Sequence, residues 1–159
     1  MDVVPLETAY LFLLAAAEDV STARSGEEDT TDWSAADRAI TCVRLNDGVL
    51  ATAAADLGKG GPARFDNRPA MGGPAGTGVP TPEAFRDNVR LVRESTSRLV
   101  ALVAAMPDDA ATTSLRVTLV AHDGESLVDQ HITWGRLVHL WVTDHLPRCT
   151  ARLAAAGHP

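Results

Sequence analysis

His145 and Cys149 are the two side chains of this chain whose types and spacing are best suited to chemistry. They lie four residues apart in a stretch with helical periodicity, so both project from one face, one turn apart. Val138 and Val142 lead into the same apolar stripe. Imidazole nitrogen and cysteine sulfur are good ligands for zinc. The pair therefore indicates either a metal site or a buried histidine beside a buried free thiol, and the spacing leaves both open.

Other catalytic patterns are absent from the sequence. It contains no Gly-x-Ser-x-Gly elbow, no Cys-x-x-Cys and no His-Glu-x-x-His. The carboxylates of Asp47, Asp129 and Asp144 are not paired at any spacing that the sequence reveals, so no acid–base pair is predicted. Within the glycine-rich connection Gly58–Pro80, the stretch from Arg64 to Arg68 is the part with side chains able to hold an anion over a pocket.

Composition limits the classes of protein to which the chain can belong. Its 159 residues predict a single domain with its own core. A formal net charge of −7, with 14 scattered basic residues, argues against nucleic acid as a partner. The apolar run 10–17 is too short to span a bilayer and follows the acidic residues Asp2 and Glu7, which argues against a membrane protein. We therefore expect a cytoplasmic protein whose two cysteines are free thiols or ligands.

Periodicity predicts two helices in the first part of the chain. The first runs from Leu6 to about Thr22. Ser34 is a suitable N-cap for the second, which is predicted to end near Leu57. Gly58–Pro80 holds seven of the twelve glycines, which predicts a long loop without regular structure. The inward stripe of the second helix is predicted to contain Ala39, Cys42 or Val43, Asn46, Leu50 and Ala53.

The second half of the chain predicts two more helices with a β-hairpin between them. Thr81 followed by Pro82 is a strong helix start, and Pro107 ends the helix. Alternating residues from Ser114 to about Ile132 predict the hairpin, and Thr133 can cap the last helix. The predicted fold is mainly α, a four-helix bundle with an appended ribbon. The core face of the third helix is predicted to be Phe85, Val89, Val92, Thr96, Leu99, Val103 and Met106.

Five short motifs of the chain resemble those of the DinB-like four-helix bundles. This superfamily includes the N-terminal domain of mycothiol-dependent maleylpyruvate isomerase and other bacterial thiol-dependent transferases. The resemblance covers nearly the whole chain in element order and implies a DinB-like bundle with long middle connections. The motifs are Trp33-Ser-Ala-Ala, Leu45-Asn-Asp47, Phe65-Asp-Asn-Arg-Pro69, Ile132-Thr-Trp-Gly135 and His145-Leu-Pro-Arg-Cys149.

The resemblance also implies a metal site, from which this sequence departs at two of three positions. Such proteins hold Zn²⁺ or Ni²⁺ with one histidine on the second helix and a His-x-x-x-His pair on the last. Here His145 matches the first histidine of the pair, and Cys149 replaces the second. The position on the second helix is Cys42 or Thr41, depending on which motif sets the register.

The sequence supports two interpretations of this departure. In the first, Cys42, His145 and Cys149 form a variant zinc site in a thiol transferase or isomerase of the mycothiol-dependent type, with a low-molecular-weight thiol as cofactor. In the second, the protein binds no metal and catalyses no reaction, and acts as a small-ligand-binding or dimerising module. A homodimer is expected in either case, because alanine-lined helix faces pack closely.

Overall fold

The structure is a computed structural model that describes residues 1–23, 33–71, 80–121 and 123–157. Residues 24–32 and 72–79, which the sequence assigns to connections, lie outside the described residues. The chain is mainly helical with a small three-stranded sheet. The helices are α1 (Val4–Ala23), α2 (Ser34–Gly58), α3 (Arg68–Met71), α4 (Pro82–Ala104), α5 (Trp134–Leu140) and α6 (Leu146–Gly157), and the strands are β1 (Arg64–Asp66), β2 (Ser114–Val120) and β3 (Ser126–Thr133).

The long helices bury the faces that periodicity predicts. All seven positions predicted for α4 and its C-terminal extension are buried. In α1 the helical spacing predicts five core positions, and all five are buried: Leu6, Tyr10, Leu13, Ala17 and Val20. Helix α2 packs against α4 and α6, while α1 packs against α6 and α4, so the four longest helices share one core. The Thr81 and Thr133 side chains accept hydrogen bonds from the first turns of α4 and α5, which confirms both predicted caps. Helix α2 begins at Ser34 itself, so its N-cap is Trp33 and not Ser34 as predicted.

The sheet confirms the predicted hairpin and corrects the prediction for Gly58–Pro80. Strands β2 and β3 are antiparallel, with an irregularity between Leu119 and Val120. The stretch predicted as a structureless loop contains β1 and α3, and β1 pairs in parallel with β2. The Asn67 side chain extends this pairing: its Oδ1 accepts from the Val120 amide at 2.7 Å, and its Nδ2 donates to the Val120 carbonyl at 3.1 Å. A three-residue strand is stable here because an existing strand edge satisfies its backbone.

The last predicted helix is divided by a wider turn. Residues Trp141–His145 form a π-helical turn between α5 and α6, and the Leu146 amide donates to the Trp141 carbonyl. Pro147 follows directly, where an α-helix would lack one backbone donor. Such turns occur at functional sites more often than elsewhere. The missing donor of Pro147 predicts a kink beside His145, and the π-helical turn ends at that residue.

None of the described helices is both long enough and apolar enough to cross a membrane.

Candidate functional site

The structure brings His145 and Cys149 close together in the core. Cys149 Sγ lies 3.9 Å from His145 Nε2, and Cys149 is 2% exposed. The imidazole stacks on the Trp141 indole with 4.0 Å between ring centroids. The helical spacing read from the sequence therefore does place the two side chains side by side, at the junction of the π-helical turn with α6.

Cys42, and not Thr41, faces this pair from α2. The Thr41 hydroxyl accepts a hydrogen bond from Asn88 Nδ2 at 3.3 Å and so points toward α4. Cys42 Sγ accepts from Asn46 Nδ2 at 3.4 Å, and the Cys42 thiol is close enough to Cys149 to raise the pKa of that thiol. Of the two candidates on α2, Cys42 is therefore the one that lies beside the pair.

These three groups are neutral at physiological pH. Burial raises the pKa of Cys149 to about 12 and also raises the pKa of Cys42. Burial lowers the pKa of His145 to about 4. The Arg152 guanidinium acts on all three, because it lowers the pKa of both thiols and of the imidazole. Because the thiolate is the nucleophile and the metal ligand, neither cysteine is activated in this arrangement.

The arrangement does not fit a resident zinc or nickel ion. Within the part of the chain that the structure describes, no three His, Cys, Asp or Glu side chains are grouped so that they could hold a metal ion. The Cys42 thiol already accepts an amide hydrogen bond from Asn46. The site formed by Cys42, His145 and Cys149 stays a prediction from the sequence, and metal analysis tests it.

A buried carboxyl group is the functional feature that the sequence did not reveal. Asp47 is 0% exposed, and its Oδ1 accepts a short hydrogen bond from the Tyr10 hydroxyl. The same hydroxyl accepts from Trp141 Nε1 at 3.0 Å. The buried chain Trp141–Tyr10–Asp47 therefore joins the last helix, α1 and α2, and it begins on the ring that stacks on His145.

Ser95 closes this chain on the side of α4. Its Oγ lies 3.3 Å from Asp47 Oδ2 and 2.9 Å from the Val92 carbonyl oxygen. The Ser95 hydroxyl donates to Asp47, so each oxygen of the carboxyl has a hydrogen-bond partner.

Burial has a larger effect on the protonation of Asp47 than these hydrogen bonds do. Burial raises the pKa of its carboxyl to about 7, against the smaller opposing effects of the hydrogen bonds from Tyr10 and Ser95. Burial also raises the pKa of Tyr10 well above its ordinary value, with Asp47 adding to the shift. Tyr10 thus stays a donor, and Asp47 exchanges its proton near neutral pH.

The helical periodicity of the sequence predicted that some residues of this network are buried, but it did not predict their hydrogen bonds. Tyr10 and Trp141 lie at predicted core positions, and Asn46 is buried as predicted. Asp47 follows Asn46 directly and would be expected at the boundary with solvent. The sequence signal that could have identified it is a single acid adjacent to an inward-facing amide, opposite the only tyrosine of the chain.

An open groove lies on the face of the sheet, outside the core network. Its volume is about 400 Å³, and it is lined by Arg64, Phe65, Asp66, Arg68, Arg116, Thr118, Val120, Gly124, Ser126 and Asp129. Phe65 connects the groove to the network, because its ring packs edge-on against Trp141 at 5.7 Å. Gly124, with φ of 85°, allows the hairpin turn at the rim.

The groove contains three arginines, of which two are held by carboxylates. Arg68 forms a bidentate ion pair with Asp66 and holds the pKa of that carboxyl below its usual value. Arg116 pairs in the same way with Asp129, at 2.8 and 2.7 Å. Arg64 is exposed and forms no ion pair with any residue that the structure describes.

No family model, curated protein or solved structure matches this chain.

Proposed function

We propose that the chain is a DinB-like four-helix-bundle protein that binds a small ligand without a metal ion and without catalysing a reaction. The proposal assigns the binding site to the groove on the sheet. It treats the former metal position, at Cys42, His145 and Cys149, as part of the core.

The order of elements supports the assignment to the DinB-like bundles. Four long helical segments pack around one core, and a hairpin precedes the last of them. The five motifs that carry the resemblance lie at the start of α2, in its middle, on β1, at the start of α5 and at the junction into α6.

One observation supports the proposal: the polar groups around His145 are hydrogen-bonded to one another, and the neighbouring thiols are not activated. Trp141, Tyr10, Asp47 and Ser95 satisfy one another, and both thiols are protonated. A catalytic nucleophile needs a lowered pKa or an adjacent base of sufficient strength. Burial raises the pKa of Cys149 to about 12 and lowers that of the neighbouring His145 to about 4, so the imidazole is too weak a base to take the thiol proton. The groove, in contrast, is open and offers charged and hydroxyl groups to a ligand.

Metal analysis tests this proposal directly. We expect protein purified without added zinc or chelator to contain much less than one zinc or nickel ion per chain. Cys149→Ala is then a simple core truncation, so it should destabilise the protein by roughly 1–3 kcal/mol. The same loss should be measured with and without a chelator by urea denaturation.

Val103→Ala serves as the matched control, because Val103 is a buried apolar residue of α4 with no ligand chemistry. Its destabilisation should also be independent of chelator. About one zinc per chain, together with a destabilisation by Cys149→Ala that disappears on chelation, would contradict the proposal.

A zinc-dependent thiol transferase or isomerase is the second candidate, and two observations favour it. The Sγ–Nε2 distance of 3.9 Å between Cys149 and His145 is close to the separation of two ligands on one tetrahedral zinc. Asn46 Oδ1 is buried beside Cys42 and has no hydrogen-bond partner among the described residues. For this candidate, His145→Ala should release a stoichiometric metal.

The homodimer expected from the sequence has one suitable surface, on α1. Val4, Leu11 and Phe12 are 61%, 68% and 66% exposed, and helical spacing places them on one side of the helix with Thr8 and Ala15. Leu11 and Phe12 lie near the middle of α1, so a two-fold axis there would place this patch against the same patch of a second copy.

We therefore expect Phe12→Glu to shift the protein from dimer to monomer, because it introduces a charge at the centre of this surface. Light scattering after size exclusion, over a wide range of protein concentration, measures the state. Leu127→Glu is the matched control, since Leu127 is 61% exposed on β3, away from α1. A monomeric unmodified protein, or equal effects of the two variants, would contradict this expectation.

A further inference from the structure

The charges of the groove on the sheet identify the ligand that it accepts. Three guanidinium groups, those of Arg64, Arg68 and Arg116, face two carboxylates, those of Asp66 and Asp129. The local balance is one positive charge, in a protein whose net charge is −7. A region of opposite sign to the whole protein is suited to attracting an anion.

Arg64 is the group left free to bind this anion. The guanidinium groups of Arg68 and Arg116 already donate two hydrogen bonds each to carboxylates, which fixes their positions. Arg64 keeps its planar set of donors, whose geometry matches a carboxylate or a phosphate. Ser126 lines the same groove and adds a hydroxyl group, whereas the Thr118 hydroxyl hydrogen-bonds Asp129.

A second depression on the other side of Arg64 lacks this excess of positive charge. Its volume is about 620 Å³, and it is lined by Val49, Thr52, Asp56, Arg64, Asp66, Arg68 and Pro69. There the two arginines face the two carboxylates of Asp56 and Asp66, so the charges cancel. Arg64 lines both depressions, and the excess of positive charge favours binding of an anion in the groove on the sheet.

We infer that the groove binds a small organic monocarboxylate, with Arg64 as its anchoring residue. One negative charge balances the groove, whereas the two charges of a phosphate ester would leave it negative. Phe65 and Val120 line the groove but are only 2% and 8% exposed, so contacts to the carboxylate, and not apolar surface, carry most of the binding. This inference rests on the proposed function, because it names the class of ligand for the same groove.

Benzoate is a suitable probe, since it combines a carboxylate with an apolar ring. NMR titration of the full chain should show saturable shifts of the amides of Phe65, Thr118 and Ser126. Benzamide, which is neutral and has nearly the same shape, should bind at least about ten-fold more weakly, because a charge-assisted hydrogen bond is lost. Inorganic phosphate should also bind more weakly than benzoate.

Arg64→Gln should weaken benzoate binding at least about ten-fold. Arg64→Lys keeps the charge without the planar pair of donors, and its affinity should lie between those of the other two proteins. Arg98→Gln is the matched control, since Arg98 is an exposed arginine of α4 outside the groove, and its removal should leave binding unchanged.

Three outcomes would overturn the inference: no saturable binding of benzoate, equal affinity for benzamide, or tighter binding of phosphate. Two other results would contradict the proposed function itself. One is stoichiometric zinc in the purified protein. The other is a screen, including neutral compounds, in which no small molecule binds at the groove. Neutral compounds that bind there while benzoate does not would overturn the ligand class alone.

Discussion

Asp47→Asn should raise the free energy of unfolding by roughly 4 kcal/mol at pH 8 relative to the unmodified protein, and by little at pH 4. The reason is that burial raises the pKa of Asp47 to about 7, against an ordinary value of 3.8. The stabilising contribution of the neutral acid is complete below pH 4 and is lost as the pH rises through 7. Asparagine keeps a carbonyl for Tyr10 and offers an N–H to Ser95, but it never ionises.

His145 should give a dependence of opposite sign. Its pKa falls from 6.5 to about 4 in the fold, so its contribution is present above pH 6.5 and is lost as the pH falls through 4. His145→Phe removes this titration and keeps an aromatic ring against Trp141. The free energy of unfolding of the variant, minus that of the unmodified protein, should therefore fall by roughly 3 kcal/mol as the pH rises from 4 to 6.5.

Urea denaturation at intervals of pH measures both dependences. Taking the difference between each variant and the unmodified protein cancels the titration of all other groups. Two differences that change with pH in opposite directions are the expected result. A pH-independent difference for Asp47→Asn would mean that the pKa of the carboxyl is not raised in the fold, so the group would not be buried in solution.

Tyr10→Phe should be the most destabilising conservative change in the core at neutral pH. It removes one oxygen but leaves both Asp47 Oδ1 and Trp141 Nε1 buried without a partner. We expect a loss of roughly 2–4 kcal/mol at pH 5, from the desolvation of two polar groups. The loss should be larger at pH 8, because the hydroxyl lowers the pKa of Asp47 and therefore stabilises its charged form more than its neutral form.

A double-mutant cycle isolates this interaction. In the Asp47→Asn background, Tyr10→Phe should cost the same at pH 5 and pH 8, because nothing at position 47 ionises. A cost below about 0.5 kcal/mol at both values of pH would show that the hydroxyl is solvated or otherwise paired, and the buried chain of hydrogen bonds would not exist in solution.

Local patterns predicted the elements, and long-range contacts explain what they missed. The face of α4 followed from its seven-residue spacing alone, since a helix repeats every 3.6 residues wherever it packs. Strand β1 could not be predicted, because its backbone partner β2 lies about fifty residues later and Asn67 contributes a side-chain clamp. The choice of Cys42 over Thr41 depended on Asn88, which holds the threonine toward α4.

The sequence predicted the His145–Cys149 pair of the candidate site but not the buried network around Asp47. The spacing of His145 and Cys149 predicted their proximity, because both lie on one helical turn. The burial of Asp47 depends on a hydroxyl 37 residues earlier and another 48 residues later, which no window of sequence contains. The groove was anticipated through Arg64 and Arg68, but Arg116 and Asp129 come from the hairpin.

Trp141 lies between two regions with different chemistry. One side of its ring meets Phe65 beneath the groove, and its other contacts are His145 and the hydroxyl of Tyr10. An indole in this position is a built-in fluorophore for both regions: a charged imidazole stacked on it quenches emission, and a displaced Phe65 alters its surroundings. Once Trp33 and Trp134 are replaced by Phe, the emission of Trp141 can therefore follow the occupancy of the groove and the protonation of the core in a single titration, without an added label.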